Sequence, residues 1–292
     1  MIPILDSLNR TRSLVRRPAK LAVFALTVLL VCFPYPNRLA QHLRHWSDPN
    51  ALVEPNAPEL EPLFTELSQR EDMAHFLQSR PQEALRTVEG FVYEKVPYEW
   101  DWNTWGTADY LPTLAEVLEK GREDCDGRAV VAASLLRRFG MRAELVTDFA
   151  HVWVKTEHGD TMGPGKRRAV VATDRGLRVD PKALLQLPKA VAFGVAVFPF
   201  GREIIIAVVL WLLLINRRSG AVWNVVALGL IVGGLVLLRF GGANYHARKW
   251  MLEWTGIAVM LVGMWLPMIA ERRRRGGGVA VATMHNVATP SP

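Results

Sequence analysis

Gly121-Arg-Glu-Asp-Cys-Asp-Gly-Arg-Ala129 decides how the middle of this chain is read, because it joins two helical patterns through a single cysteine. Before it, Pro112-Thr-Leu-Ala-Glu-Val-Leu-Glu-Lys-Gly121 reads as a short helix closed by its glycine. After it, Ala129, Val130, Ala133, Leu136 and Phe139 recur at helical spacing, and Gly140 follows as the C-cap. Cys125 therefore stands at the mouth of a buried helix. There the helix dipole and unpaired amides favour thiolate and can also bind an oxyanion. Asp124 and Asp126 oppose thiolate formation, so the thiol needs a cationic partner.

Working outward, Arg142 to Phe149 and His151 to Glu157 both read as strands, the second as His-Val-Trp-Val-Lys-Thr-Glu. A histidine that opens a strand soon after a buried helix can meet that helix's N-terminus. Alone, a core cysteine is ordinarily a small hydrophobe and a strand histidine is ordinarily structural. Together, in this order, they point to a nucleophile and its base.

Val96-Pro-Tyr98, Trp105-Gly-Thr-Ala-Asp-Tyr110, Thr113-Leu-Ala-Glu-Val-Leu118, Gly121 to Ala129, Ser134-Leu-Leu-Arg-Arg-Phe-Gly140 and His151-Val-Trp153 follow one another along the chain. In this order and spacing they resemble the transglutaminase-like superfamily from about Val96 to Asp180. The resemblance implies a papain-like α+β core, a Cys-His-Asp triad and chemistry through a thioester. Cys125 maps onto the nucleophile and His151 onto the base. The family's acid ends the strand after the histidine strand, often as Asp-Pro, and here the sequence departs. Asp160 lies beside the turn Glu157-His-Gly-Asp160, ~20 Å of strand away from His151. If Arg168-Ala-Val-Val-Ala-Thr-Asp174 is the pairing strand, the register that sets Glu157 opposite Arg168 sets Asp174 opposite His151. Asp180-Pro181 copies the Asp-Pro signature better, one strand later, so both acids stay candidates and Asp174 is preferred. Its role would be to orient the imidazole and stabilise the cation. Tyr98 to Tyr110 is rich in aromatics; it reads as core and rim packing or as a wall of the acyl-donor cleft. In the second case Trp105 and Trp153 are the substrate-binding candidates.

The 292 residues are half apolar and carry a net charge of +7, yet neither property is spread evenly. Residues from about Pro49 to Pro188 form a water-soluble mixture, whereas apolar runs cover Leu21 to Phe33, Ile204 to Ile215, Ala221 to Phe240 and Met251 to Ala270. Basic residues cluster at their ends: Arg10, Arg12, Arg16, Arg17 and Lys20, then Arg217 and Arg218, then Arg272 to Arg275. That is the pattern of a multi-pass membrane protein with basic cytoplasmic flanks, not of a nucleic-acid groove. Four spans with both termini inside place the soluble region outside the cell's inner or plasma membrane. The expected layout is a basic N-terminus to residue 20, an uncleaved anchor at 21–36, a linker at 37–63 and a folded domain at 64–188. Spans at 195–216, 221–240 and 251–270 follow, then a disordered tail at 271–292. Glu253 and Asn224 are too few intramembrane polar groups to argue for transport.

Cys32 and Cys125 lie in different environments and form no disulfide framework. His42, His45 and His75 lack metal-ligand spacing, so neither metal nor cofactor is expected. The function read from these features is a membrane-anchored cysteine peptidase or amidase acting on a protein or peptide. An amine-accepting transglutaminase and a catalytically silent binding or assembly module are its rivals. Oligomeric state is left open.

Overall fold

Gly121 and Gly140 take φ of 62° and 84°, left-handed values that stop a helix at no Cβ penalty. They close the two helices on either side of the cysteine. The computed structural model describes residues 13–70, 73–148, 151–163, 170–173, 176–179, 187–215, 219–243 and 249–286. In chain order its helices are α1 (Ser13–Cys32), α2 (Pro36–Ser47), α3 (Glu61–Arg70), α4 (Met73–Ser79), α5 (Pro81–Lys95), α6 (Asp101–Thr104), α7 (Leu114–Lys120) and α8 (Cys125–Arg138). The strands β1 (Ala143–Asp148), β2 (His151–Thr156), β3 (Gly159–Thr161), β4 (Val170–Thr173) and β5 (Gly176–Val179) follow. Helices α9 (Leu187–Val197), α10 (Phe200–Leu214), α11 (Ala221–Gly242) and α12 (Trp250–Asn286) complete the chain. It divides into two compact units, Cys32–Leu184 and Met1–Val31 with Leu185–Pro292.

The first unit is mostly helical with a small antiparallel sheet, an α+β arrangement. Its centre is α8, whose Ala129, Val130, Val131, Ala132, Ala133, Leu135 and Leu136 are fully buried. A helix apolar on every side must be surrounded, and α5, α7, β1 and β2 all pack against it. Thr113 and Glu116 form a reciprocal capping box that starts α7.

The sheet has the order β1-β2-β3. In β1–β2, Asp148 faces His151 and Ala143 faces Thr156; in β2–β3, Val154 faces Thr161 and Thr156 faces Gly159. Two expectations change here. The partner of β2 is the three-residue β3, whereas Val170–Thr173 pairs with Gly176–Val179 instead. The register that set Asp174 opposite His151 is therefore not the one formed. Asp174 and Asp180 themselves lie outside the described residues. Residues 37–63 are also no linker. They form α2 and two 3-10 turns, and Leu52, Val53, Ala57 and Leu60 enter the core. Four apolar residues spaced between prolines anchor that segment by burial.

In the second unit α11 and α12 are each long and apolar enough to cross a membrane. Two helix pairs broken at short links pass the same test, giving two to four candidate spans. The α11–α12 packing relies on small residues. A Cβ on Gly234 would clash with Met260 and the Gly256 carbonyl, and one on Gly256 with Leu238 and the Gly234 carbonyl. Close backbone approach of this kind is how helices associate where no hydrophobic drive exists between them.

The single span expected at 195–216 is instead broken. Between α9 and α10, Phe198-Pro199 turns the chain by 118°. Arg239, inside α11, donates to the carbonyls of Val195 and Phe198 and pairs with Glu203 at 2.8 Å. It thereby satisfies carbonyls that the break leaves without helical donors. The last helix also runs on past Ala270 to Asn286, so most of the stretch read as a disordered tail is helical.

Candidate active site

Cys125 is the first residue of α8, and Asp124 is its N-cap, accepting from the Asp126 amide at 3.1 Å. Gly127 follows because nothing larger fits. A Cβ there would overlap Glu123 Cγ and Val117 Cγ2. The sulfur is part-exposed and accepts a hydrogen bond from the Val152 amide, while its S–H donates to Asp126 Oδ1 at 3.2 Å. Val152 directly follows His151, so packing of α8 on β2 brings the thiol to the strand that begins with the imidazole.

His151 Nε2 lies 3.0 Å from the Met162 carbonyl oxygen. A carbonyl only accepts, so Nε2 carries the proton and Nδ1 of the neutral ring is the basic nitrogen. Met162 sits just beyond β3 with a φ of 59°, an uncommon value for a non-glycine, and is buried. That constrained turn aims its carbonyl at the ring. Asp160 lies opposite Lys155, toward the far end of the hairpin from His151.

Four carboxyls surround the thiol's end of the helix. Asp101, Glu123 and Asp126 are buried. Among the described residues none of the three, nor Asp124, is at ion-pair distance from Lys or Arg. Burial raises Asp101 well above the ordinary carboxylate range, with the charges of Asp124 and Glu123 adding to it. The raised Asp101 carboxyl hydrogen-bonds with Glu123, an interaction that favours the protonated form of Asp101. Glu123 is raised by burial too, and accepts from the Trp105 indole N–H at 2.7 Å. Asp126 is pushed well up by burial and by Asp124; Asp124 is pushed up to about 7, again chiefly by burial.

The thiol is raised strongly, by burial first and then by the charges of Asp126 and Asp124, against which the Val152 amide works. The helix N-terminus therefore does not by itself yield a thiolate here. Desolvation and two flanking acids work against the dipole and favour the protonated thiol. Two groups bring candidate ligand atoms within 4.8 Å of one another, Asp124 with Cys125 and Asp126, and Asp101 with Glu123 and Asp124.

Trp105 and Trp153 are each 4% exposed. Trp105 spends its N–H on Glu123, and Trp153 stands beside Gly163. Both are buried in this structure. Tyr98 meets Trp100 edge-on at 5.0 Å, and Trp100 stacks on Trp102 at 4.9 Å. Tyr93 and Tyr98 are exposed and flank Arg128. Asp101, Glu123 and the Met162 carbonyl leave no mark in the sequence as parts of this site. Arg128 does, since it lies three residues after Cys125 and so on the same helix face.

Residues 72–165 match the family model described as the Transglutaminase-like superfamily. No curated protein and no solved structure matches the chain.

Proposed function

With a transglutaminase-like superfamily domain spanning residues 72–165, we propose that this protein is a thiol acyl-transfer enzyme with Cys125 as nucleophile and His151 as base. The observation that supports it best is the hydrogen bond from the Val152 amide to the sulfur, one residue along β2 from His151, whose Nε2 proton is committed to Met162. In the reaction His151 Nδ1 takes the thiol proton and sulfur attacks an amide carbonyl. The C–N bond breaks, the imidazolium returns its proton to the departing amine, and a thioester remains. Water, activated by the same imidazole, then cleaves the C–S bond to give a carboxylic acid and the free thiol.

The finer reading is a papain-like cysteine peptidase or amidase acting on a protein or peptide. It is anchored in the inner or plasma membrane by up to four spans, with the catalytic unit outside the cytoplasm. The basic flanks at Arg217-Arg218 and Arg272 to Arg275 support that orientation. Asp174 stays the preferred acid and Asp180 its rival. Hydrolysis is preferred to crosslinking because no residue marks a site for an acceptor amine. A second reading, a silent transglutaminase-like binding module, draws on the protonated thiol and its bond to Asp126.

A thiol-reactive amide probe on intact membranes separates the two. The enzyme reading expects covalent labelling that vanishes in Cys125→Ala; equal labelling of both proteins refutes it. A reporter fused near Pro49 that reads as cytoplasmic would overturn the orientation.

A further inference from the structure

Several arginines of this fold meet carboxylates: Arg70 meets Glu66 and Glu94, Arg138 meets Glu61, and Arg239 meets Glu203. Others use up their terminal nitrogens on neutral acceptors, Arg38 on the Trp105 carbonyl and Arg137 on Asn50. Arg128 does neither. Its guanidinium lies 4.9 Å from the Tyr93 ring centroid and 5.0 Å from that of Tyr98, and its Nε donates to the Val96 carbonyl at 2.8 Å. Among the described residues its terminal nitrogens have no hydrogen-bond or ion-pair partner. Two rings and a main-chain acceptor thus hold the fork still while its donating edge stays unused. A guanidinium immobilised in this way has already lost the side-chain freedom that binding would otherwise remove.

The place matters as much as the pose. Arg128 is three residues along α8 from Cys125, on the same face of the helix, and its charge is felt at the thiol. Tyr98 is fixed beside Asp124 because Glu99 N donates to the Glu123 carbonyl and Glu123 N to that of Pro97. Burial raises Asp101, Glu123, Asp124 and Asp126 together, which weakens the repulsion an anion meets here without removing the charge that Asp124 and Asp126 exert on the thiol.

We propose that Arg128 is the anion-recognition residue of this site, selecting amides that carry a carboxylate a few bonds from the reacting carbonyl. The carboxylate would meet the free edge of the guanidinium in a bidentate pair and set the amide over the sulfur. This rests on Cys125 as nucleophile and adds the substrate class. A peptide's C-terminal carboxylate and a glutamate side chain both present that chemistry.

Iodoacetate and iodoacetamide differ in charge but are alike in size, and both alkylate sulfur with loss of iodide. On the full-length chain in neutral detergent, the iodoacetate-to-iodoacetamide rate ratio at Cys125, read by peptide mass spectrometry, is compared with that of glutathione. We expect the ratio to exceed glutathione's by on the order of tenfold at low salt and to collapse at high salt. Arg128→Gln should abolish the excess and Arg128→Lys keep part of it. If Arg128→Gln fails to fold, the wild-type ratio and its salt dependence decide alone. Acetyl-Ala-Ala with a free C-terminus and acetyl-Ala-Glu amide then identify the source, by which one slows iodoacetamide labelling while acetyl-Ala-Ala amide does not. A ratio equal to glutathione's, an excess that survives Arg128→Gln, or protection by neither acid overturns the inference. Failure of both reagents to label Cys125 refutes instead the nucleophile on which it rests.

Discussion

Buried carboxylates are handled in opposite ways in the two units. In the membrane-type unit Glu203 is 7% exposed and meets Arg239 at 2.8 Å, an arginine that also ties down two carbonyls at a helix break. In the other unit Asp124 and Asp126 crowd one thiol, and Asp101 and Glu123 join Asp124 behind them, without a lysine or arginine at ion-pair distance among the described residues. The first arrangement is what a fold needs when a charge must leave water: a partner, and hydrogen bonds for what remains. The second lowers stability and shifts protonation, the combination of burial and crowded charge by which functional sites tune their acids. A charge inside a fold is therefore informative through its partner more than through its depth.

The largest effect expected from breaking this contrast is at the paired site. Arg239→Leu leaves Glu203 buried alone and should destabilise the unit by about 3–5 kcal/mol in thermal unfolding in detergent. Adding Glu203→Leu should recover most of the loss; a double variant as unstable as the single one would mean that Arg239 acts only through the Val195 and Phe198 carbonyls. A smaller loss, about 1–3 kcal/mol, is expected for Gly127→Ala, because the new methyl must displace Glu123 and Val117 from a packed core. Unchanged stability would show that the start of α8 is looser than its packing.

The smallest effect sharpens the contrast and carries a sign. Burial lifts Asp124 to about 7. A carboxyl with a raised folded value contributes nothing unfavourable below its unfolded value, near 4, and destabilises progressively as pH climbs through 7. Asp124→Asn keeps the cap, since an amide oxygen still accepts from the Asp126 amide. The variant should therefore unfold with the wild type at pH 4 and about 2–4 °C above it at pH 8. A variant less stable at pH 8 would reverse the assignment.

Much of the first unit is legible in its residues. Gly121, Gly140 and the apolar spacing from Ala129 to Phe139 mark the helices around Cys125, and the break at Arg80-Pro81 falls between α4 and α5. The strand opened by His151 is equally plain. Its partner is not, because Gly159-Asp-Thr161 is three residues long and carries none of the β-branched apolar run that makes Val170–Thr173 look like the better strand. The acid pocket was hidden for another reason: Asp101 and Glu123 lie 22 positions apart, in segments noticed for their tryptophans and for their cysteine. In the membrane-type unit Pro199 and Gly201 mark the break within the second apolar run. Arg239, near the end of the third run, carries no sequence sign that it pairs with Glu203, 36 residues earlier.

The central claim is that the imidazole at the start of β2 removes the proton which burial and two aspartates hold on Cys125. The rate of Cys125 alkylation by iodoacetamide across pH 5 to 9, in the wild type and in His151→Gln, measures that transfer directly. The account predicts a reactive thiol near neutral pH in the wild type and a loss of about 10²–10³-fold in the variant. Matching profiles for the two proteins would contradict it.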